Sequence, residues 1–141
     1  MQDIDLARSL LRKGRWDLII VKKGQVLFRS RERGISPLFH VVESIGKSLH
    51  NAAAADRIVG LAAAMLCLHA HIVSVYADVA SSAALDMLQS NGVVVDARDT
   101  VSHISNADGT DLCPFEKLAG NCQKPSQLMA ALQSLLAKGD Q

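Results

Sequence analysis

From Ile58 to Ala77 the chain runs twenty residues without an Asp, Glu, Lys or Arg, and few architectures can absorb such a stretch. By length alone it could span a membrane. His69, His71 and Ser74 interrupt it, however, and its character changes midway, from Ala-rich Leu61–Leu68 to the β-branched Ile72-Val73-Ser74-Val75-Tyr76. A helix apolar on every side, followed by a buried strand, explains the run with no lipid. Asp56 is expected in the first turn of that buried helix, favourably placed against its dipole.

The flanking sequence supplies partners for this centre. Asp3 is a suitable N-cap for a helix over residues 4–13, with Ile4, Leu6, Leu10 and Leu11 as its apolar face and Gly14 as its stop. Asp17 to Val21 and Val26 to Arg29 read as two strands joined by Lys22-Lys23-Gly24-Gln25, a hairpin. Ser36-Pro37 opens a helix ending at Gly46. Beyond the central run, Ser81 and Ser82 are candidate caps for a helix over residues 83–90, terminated by Asn91-Gly92. Val93–Val95 and, more weakly, Thr100–Ile104 read as strands. A helix follows from Cys113 to about Gly120. A last amphipathic helix starts at Pro125, with Leu128, Leu132, Leu135 and Leu136 on one face. A hairpin at one end with crossovers afterwards implies a mixed sheet covered by helices on both faces. At 141 residues this is one domain, spanning 1–141.

Composition narrows the function classes. The three cysteines, Cys67, Cys113 and Cys122, have no metal-site spacing, and their odd number fits a reducing cytoplasm better than a disulfide framework. The acidic N-terminus has no apolar signal core. Net charge is only +1, yet residues 1–50 hold ten Lys/Arg against five Asp/Glu and residues 51–141 five against nine. Arg29, Arg31 and Arg33 are the densest basic cluster, at alternate positions that would share one face of a strand. Without interleaved aromatics they read as a charged, solvated strand edge, not as a nucleic-acid surface. Gly46-Lys47-Ser48 is not a P-loop, because Val41 stands where the pattern needs glycine.

Chemistry concentrates at Cys113-Pro114-Phe115-Glu116, where a polar loop becomes a helix. Pro114 suits the first helical position, which puts Cys113 at the cap, facing unpaired backbone donors and the positive end of the dipole. Such a place lowers a thiol pKa, while Glu116 three residues on opposes thiolate formation or folds back as a capping-box acid. Cys67, inside the apolar helix, reads as a core residue.

The order of elements resembles the cytidine-deaminase-like α/β/α sandwich. More closely, the chain resembles a bacterial domain-of-unknown-function family sharing that fold, through Gly34-Ile35-Ser36-Pro37-Leu38, Asp56 with Val59-Gly60 and Ala62-Ala63-Ala64, Tyr76-Ala77, and Cys113-Pro114-Phe115-Glu116. The resemblance implies a three-layer α/β/α sandwich with sheet order 2-1-3-4-5 and a pocket at the N-termini of the two central helices. It also implies no zinc. The stretches Ala54-Ala55-Asp56-Arg57 and Val79-Ala80-Ser81-Ser82, standing where zinc deaminases have H-x-E and P-C-x-x-C, contain neither His nor Cys. No metal or other cofactor is therefore expected. The reading is a regulatory domain binding a nucleotide-like or other small anionic ligand through Asp56, Ser81, Ser82, Cys113 and Glu116. Two alternatives remain open at this point. One is a thiol enzyme with Cys113 as nucleophile, assisted by Asp56 or His103. The other is a homo-oligomeric scaffold built on the Ala-rich helix and a sheet edge.

Overall fold

A computed structural model describes residues 2–139. Helix α1 (Asp3–Gly14) opens the chain, but Asp3 does not cap it. The cap is Gln2, whose backbone N–H donates to the Asp5 carboxylate at 3.3 Å. The Asp3 carboxylate instead accepts from the backbone N–H groups of Lys23 and Gly24, at 2.9 and 2.8 Å. These two residues turn the chain between β1 (Leu18–Lys22) and β2 (Gln25–Ser30). Both have positive φ, the conformation that two-residue hairpin turns require. One short acid thus ties α1 to the hairpin.

Helix α2 (Ser36–Ile45) starts on Pro37 as expected, and Gly46–Leu49 continues it as a 3₁₀ turn, which confirms that Gly46-Lys47-Ser48 is not a phosphate loop. Then come β3 (Ala53–Val59), α3 (Leu61–His69), β4 (Ser74–Ser81), α4 (Ser82–Ser90) and β5 (Val94–Val101). Two helices close the chain, α5 (Pro114–Gly120) and α6 (Pro125–Gly139). No described helix is long and apolar enough to cross a membrane.

The five strands form one mixed sheet in the order β2-β1-β3-β4-β5. Strand β1 runs antiparallel to both β2 and β3, while β3, β4 and β5 are parallel. The order is the expected one, but its strands are assigned differently. Strand β3, absent from the sequence reading, occupies the centre, and Asp56 lies within it and not in the first turn of α3. The expected strands Val93–Val95 and Thr100–Ile104 are replaced by one edge strand, β5, which runs through the residues between them and ends at Val101, leaving Ser102–Ile104 outside the sheet.

Alanines explain how β3 fills the middle. Ala53, Ala54 and Ala55 are buried, and side chains of that size let helices approach both faces of the sheet. On one face Ala55 meets Ala7 and Leu11 of α1, together with Ile19, Val21 and Tyr76. On the other, Ala54 joins the larger core formed with α2, α3, α4 and α6. Helix α3 is buried from Ala62 to Cys67, as a charge-free helix must be. That burial removes it as an oligomer interface. Along α6, Leu128 and Leu132 are buried, whereas Leu135 is exposed.

Candidate functional site

Helix α3 has no polar residue of its own with which to satisfy its first turn: its N-cap is Gly60, and Leu61 and Ala62 follow. The missing acceptor comes from elsewhere in the chain. Glu116, in the first turn of α5, is only 8% exposed. One of its carboxylate oxygens accepts from the Leu61 N–H at 2.7 Å and the other from the Ala62 N–H at 2.8 Å. Glu116 is therefore not a capping-box acid for its own helix. It is a cap supplied across 55 positions to the helix at the centre of the core. A carboxylate here satisfies two orphan donors and meets the positive end of the dipole. Gly60 permits the approach, since a Cβ at that position would lie 2.1 Å from a Glu116 carboxylate oxygen.

Docking Glu116 brings the start of α5 against the sheet, and Cys113, Phe115 and Glu116 become one wall of a cavity of about 600 Å³. The opposite wall lies toward the C-terminal ends of the parallel strands, with Asp56, Arg57, Ile58, Asp78 and Arg98, and near the start of β1, with Asp17. Ligands of open α/β sheets collect at this end of the strands. The cavity is lined by more acids than bases. Of the candidate residues, Asp56, Cys113 and Glu116 line it, and Ser81 and Ser82 do not. Ser81 is a buried N-cap whose Oγ accepts from the Ala84 N–H at 3.1 Å, and the Ser82 hydroxyl donates to the Val101 carbonyl at 3.3 Å.

Strand register organises the acids. Asp17 stands beside Arg57, whose backbone N–H donates to the Asp17 carbonyl at 3.1 Å. The Arg57 guanidinium then bridges two carboxylates, with Nε at 3.1 Å from Asp17 and a terminal nitrogen at 3.4 Å from Asp78. Tyr76, fully buried, donates its hydroxyl to the other Asp78 oxygen at 2.8 Å. Burial, reinforced by Asp78, raises the Tyr76 pKa and keeps it a donor. Asp17, Arg57 and Asp78 thus form a transverse row across β1, β3 and β4, on the α1 face.

Asp56 points to the other face, because neighbours alternate along a strand. Loss of water around its carboxyl pushes its pKa up to about 7. The backbone N–H groups of Ile58 and Arg57 pull it down, while the Asp17 and Asp78 carboxylates raise it. An acid poised near neutrality in a cleft can both donate and accept hydrogen bonds. Cys67 is the opposite case: burial, with a contribution from Asp56, holds its thiol up at about 12, an inert core position.

Cys113 occupies the N-cap of α5, as its sequence suggests, but its side chain caps nothing. Its carbonyl accepts from the N–H groups of Glu116 and Lys117, at 2.9 and 3.1 Å. His103, the proposed base, is absent from the cavity lining, and its Nδ1 lies 3.0 Å from the Ser102 hydroxyl. The arginine cluster also divides. Arg29 and Arg31 stack on the two-ring system of Trp16, at 4.9 and 3.6 Å, while Arg33 reaches the cavity. Asp17, Arg57, Asp78 and Gly60 are not among the site residues that the sequence suggested. Asp78 had one legible signal, as the charge that ends the twenty-residue apolar run.

Fold and site together define an α/β protein with a single five-stranded mixed sheet and a cavity at the strand ends whose charged lining residues are five acids and three arginines. Among the described residues no group of His, Cys, Asp and Glu is arranged to hold a metal ion. The chain belongs to the TM1506 family, a domain of unknown function (DUF1893), matched over residues 6–136. Its fold is similar to the crystal structure of a DUF1893 family protein (TM1506) from Thermotoga maritima, with a TM-score of 0.85 and 24% identity. The likeness covers 94% of this chain and 88% of that one. No curated protein matches the sequence.

Three substitutions test the site's construction. Gly60→Ala must displace the Glu116 carboxylate, and is expected to destabilise the protein by about 2 kcal/mol, the range of a charged hydrogen bond. In a Glu116→Ala background the same change should cost much less, a non-additivity that denaturant unfolding of the four proteins measures. Additive effects would separate Gly60 from Glu116. For Asp56, a raised pKa favours the protonated acid in the folded state. That stabilisation is complete below about pH 4 and is lost as pH rises through 7. Asp56→Asn abolishes the titration, so its stability relative to wild type should rise by about 2–4 kcal/mol between pH 4 and pH 8. A difference independent of pH would place Asp56 in water.

Proposed function

We propose that the chain is a regulatory binding protein that takes a small nucleotide-like molecule into the cavity at the strand ends, on a deaminase-like scaffold without zinc ligands. The observation that supports this reading most is the convergence on one cavity of apolar lining residues, an acid near neutrality and a solvent-exposed guanidinium. A volume of about 600 Å³ lies within the range of small-molecule sites. Asp56 suits the amide-like edge of a base, where a group able to donate or accept is needed.

The anionic end of the ligand is assigned to Arg33. Both helix N-termini that the sequence suggested for it are already satisfied internally, α3 by Glu116 and α4 by Ser81. The Arg33 side chain is 94% exposed and reaches Asp17 only at 4.0 Å, which leaves its charge free for a phosphate or carboxylate. The thiol reading has one observation in its favour, the presence of Cys113 and Asp56 in the same lining.

Calorimetric titration with nucleosides and their 5′-monophosphates tests the proposal. A monophosphate is expected to bind, and Arg33→Ala to weaken it about tenfold while leaving the matching nucleoside unchanged. Ile58→Trp, at an exposed lining position, should block both. Cys113→Ser should bind as wild type. Absence of binding across the panel, or binding indifferent to Ile58→Trp, would overturn the reading. A turnover lost in Cys113→Ser with binding intact would assign thiol chemistry to the site.

A further inference from the structure

The two edges of the sheet carry their charge differently. On β2, Arg29 lies over Trp16 beside the guanidinium of Arg31, so the outer strand is flanked by bulky charge. Strand β5, at the other edge, has eight residues, no lysine and no proline. It is exposed over most of its length, and Val94 is 70% exposed. Its inner side is hydrogen-bonded to β4 throughout. On its outer side no strand pairs with it among the described residues. An exposed edge of that length, with no proline and with charges of both signs in place of one repelling sign, is a template for another strand.

The side chains of β5 specify which strand. Asp96 and Arg98 are two apart and therefore share a face. It is the α1 face, since Asp96 meets Arg8 of α1 at 3.6 Å. Their present partners are weak ones. The Arg8–Asp96 pair is 44% and 70% exposed, and among the described residues Arg98 pairs only with the adjacent Asp99 at 3.4 Å. Exposed pairs of this kind exchange at little cost.

We propose that two copies of this chain pair antiparallel along β5, about a two-fold axis at Ala97, into one continuous ten-stranded sheet. That axis sets Asp96 of each copy opposite Arg98 of the partner subunit, and it does so twice by symmetry. It also sets Val94 opposite Thr100 and overlaps almost the whole of both strands. Ala97, the residue that meets its own copy, is small enough to do so without a clash. The neighbouring two-fold registers are excluded by charge. An axis at Asp96 opposes two carboxylates, and an axis at Arg98 opposes two guanidinium groups, and like charges directly opposite destabilise a strand pair. The strand is complementary to itself in one register, which is why its occupant is a second copy and not an unrelated peptide. Arg98 lines the cavity, so pairing sets the carboxylate of Asp96 of the partner subunit beside the cavity rim.

Sedimentation velocity of the full chain tests this, with circular dichroism to confirm folding, since both residues are exposed. Wild type should be a dimer at high micromolar concentration. Asp96→Arg alone and Arg98→Asp alone should each weaken association at least about tenfold, because each turns two attractive pairs into repulsive ones. An equimolar mixture of the two single variants restores both attractive pairs and should dimerise, as should the doubly exchanged Asp96→Arg/Arg98→Asp protein. A monomeric wild type would overturn the proposal. So would a dimer indifferent to both reversals, which would place the contact elsewhere, or a mixture that stays monomeric. None of these outcomes depends on ligand binding, so this proposal and the ligand reading fail separately.

Discussion

The carboxylate of Glu116, seated on the first two N–H groups of α3, is the contact from which the rest of the site follows. A helix as apolar as α3 is driven into the core by its surface, but burial leaves its N-terminal donors without water. An unpaired buried N–H costs about 1–3 kcal/mol, and here two adjacent ones are answered by one charged group. The answer comes from α5, a helix of seven residues that has little stability by itself. The cap therefore works in both directions, completing α3 and fixing α5. Holding α5 in place sets Cys113 and Phe115 opposite the strand ends and gives the cavity its second wall.

The same contact decides what the cavity can do. A free α3 N-terminus would be an anion site; occupied by Glu116, it leaves that task to arginine side chains. Across the cavity, Arg57 is held between Asp17 and Asp78, a pairing that satisfies its charge and leaves it little to offer a ligand. Among the groups left over are Asp56, near neutrality, and Arg33 and Arg98, both largely in solvent. A site built this way is selective by what it withholds as much as by what it presents.

Much of this architecture could be read from local signals. The hairpin showed in Gly24 between two apolar runs, α2 in Pro37, α4 in Ser81, and the apolar α3 in the absence of charge. Strand β3 could not be read so, because Ala52 to Ala55 contain no β-branched residue and alanine favours helix. Its place is fixed by the two helices that need small side chains beneath them, a tertiary demand with no local mark. Asp56 was placed at the site by resemblance while its secondary structure was misread for that reason. Glu116 was legible as a capping acid because of its spacing from Cys113, but its partner lies 55 positions away and capping rules look only three residues along. Ser82 had the residue type of a site member, yet its hydroxyl is turned to the Val101 carbonyl.

One carboxylate, that of Glu116, holds α3, α5 and the cavity wall together. Residue-resolved amide hydrogen exchange tests it most directly, comparing wild type with Glu116→Ala. The Leu61 and Ala62 amides should lose their protection in the variant, and α5 should exchange faster with them. The hairpin, tied to α1 through Asp3, should keep wild-type rates. Unchanged protection at Leu61, Ala62 and α5 in the variant would contradict it.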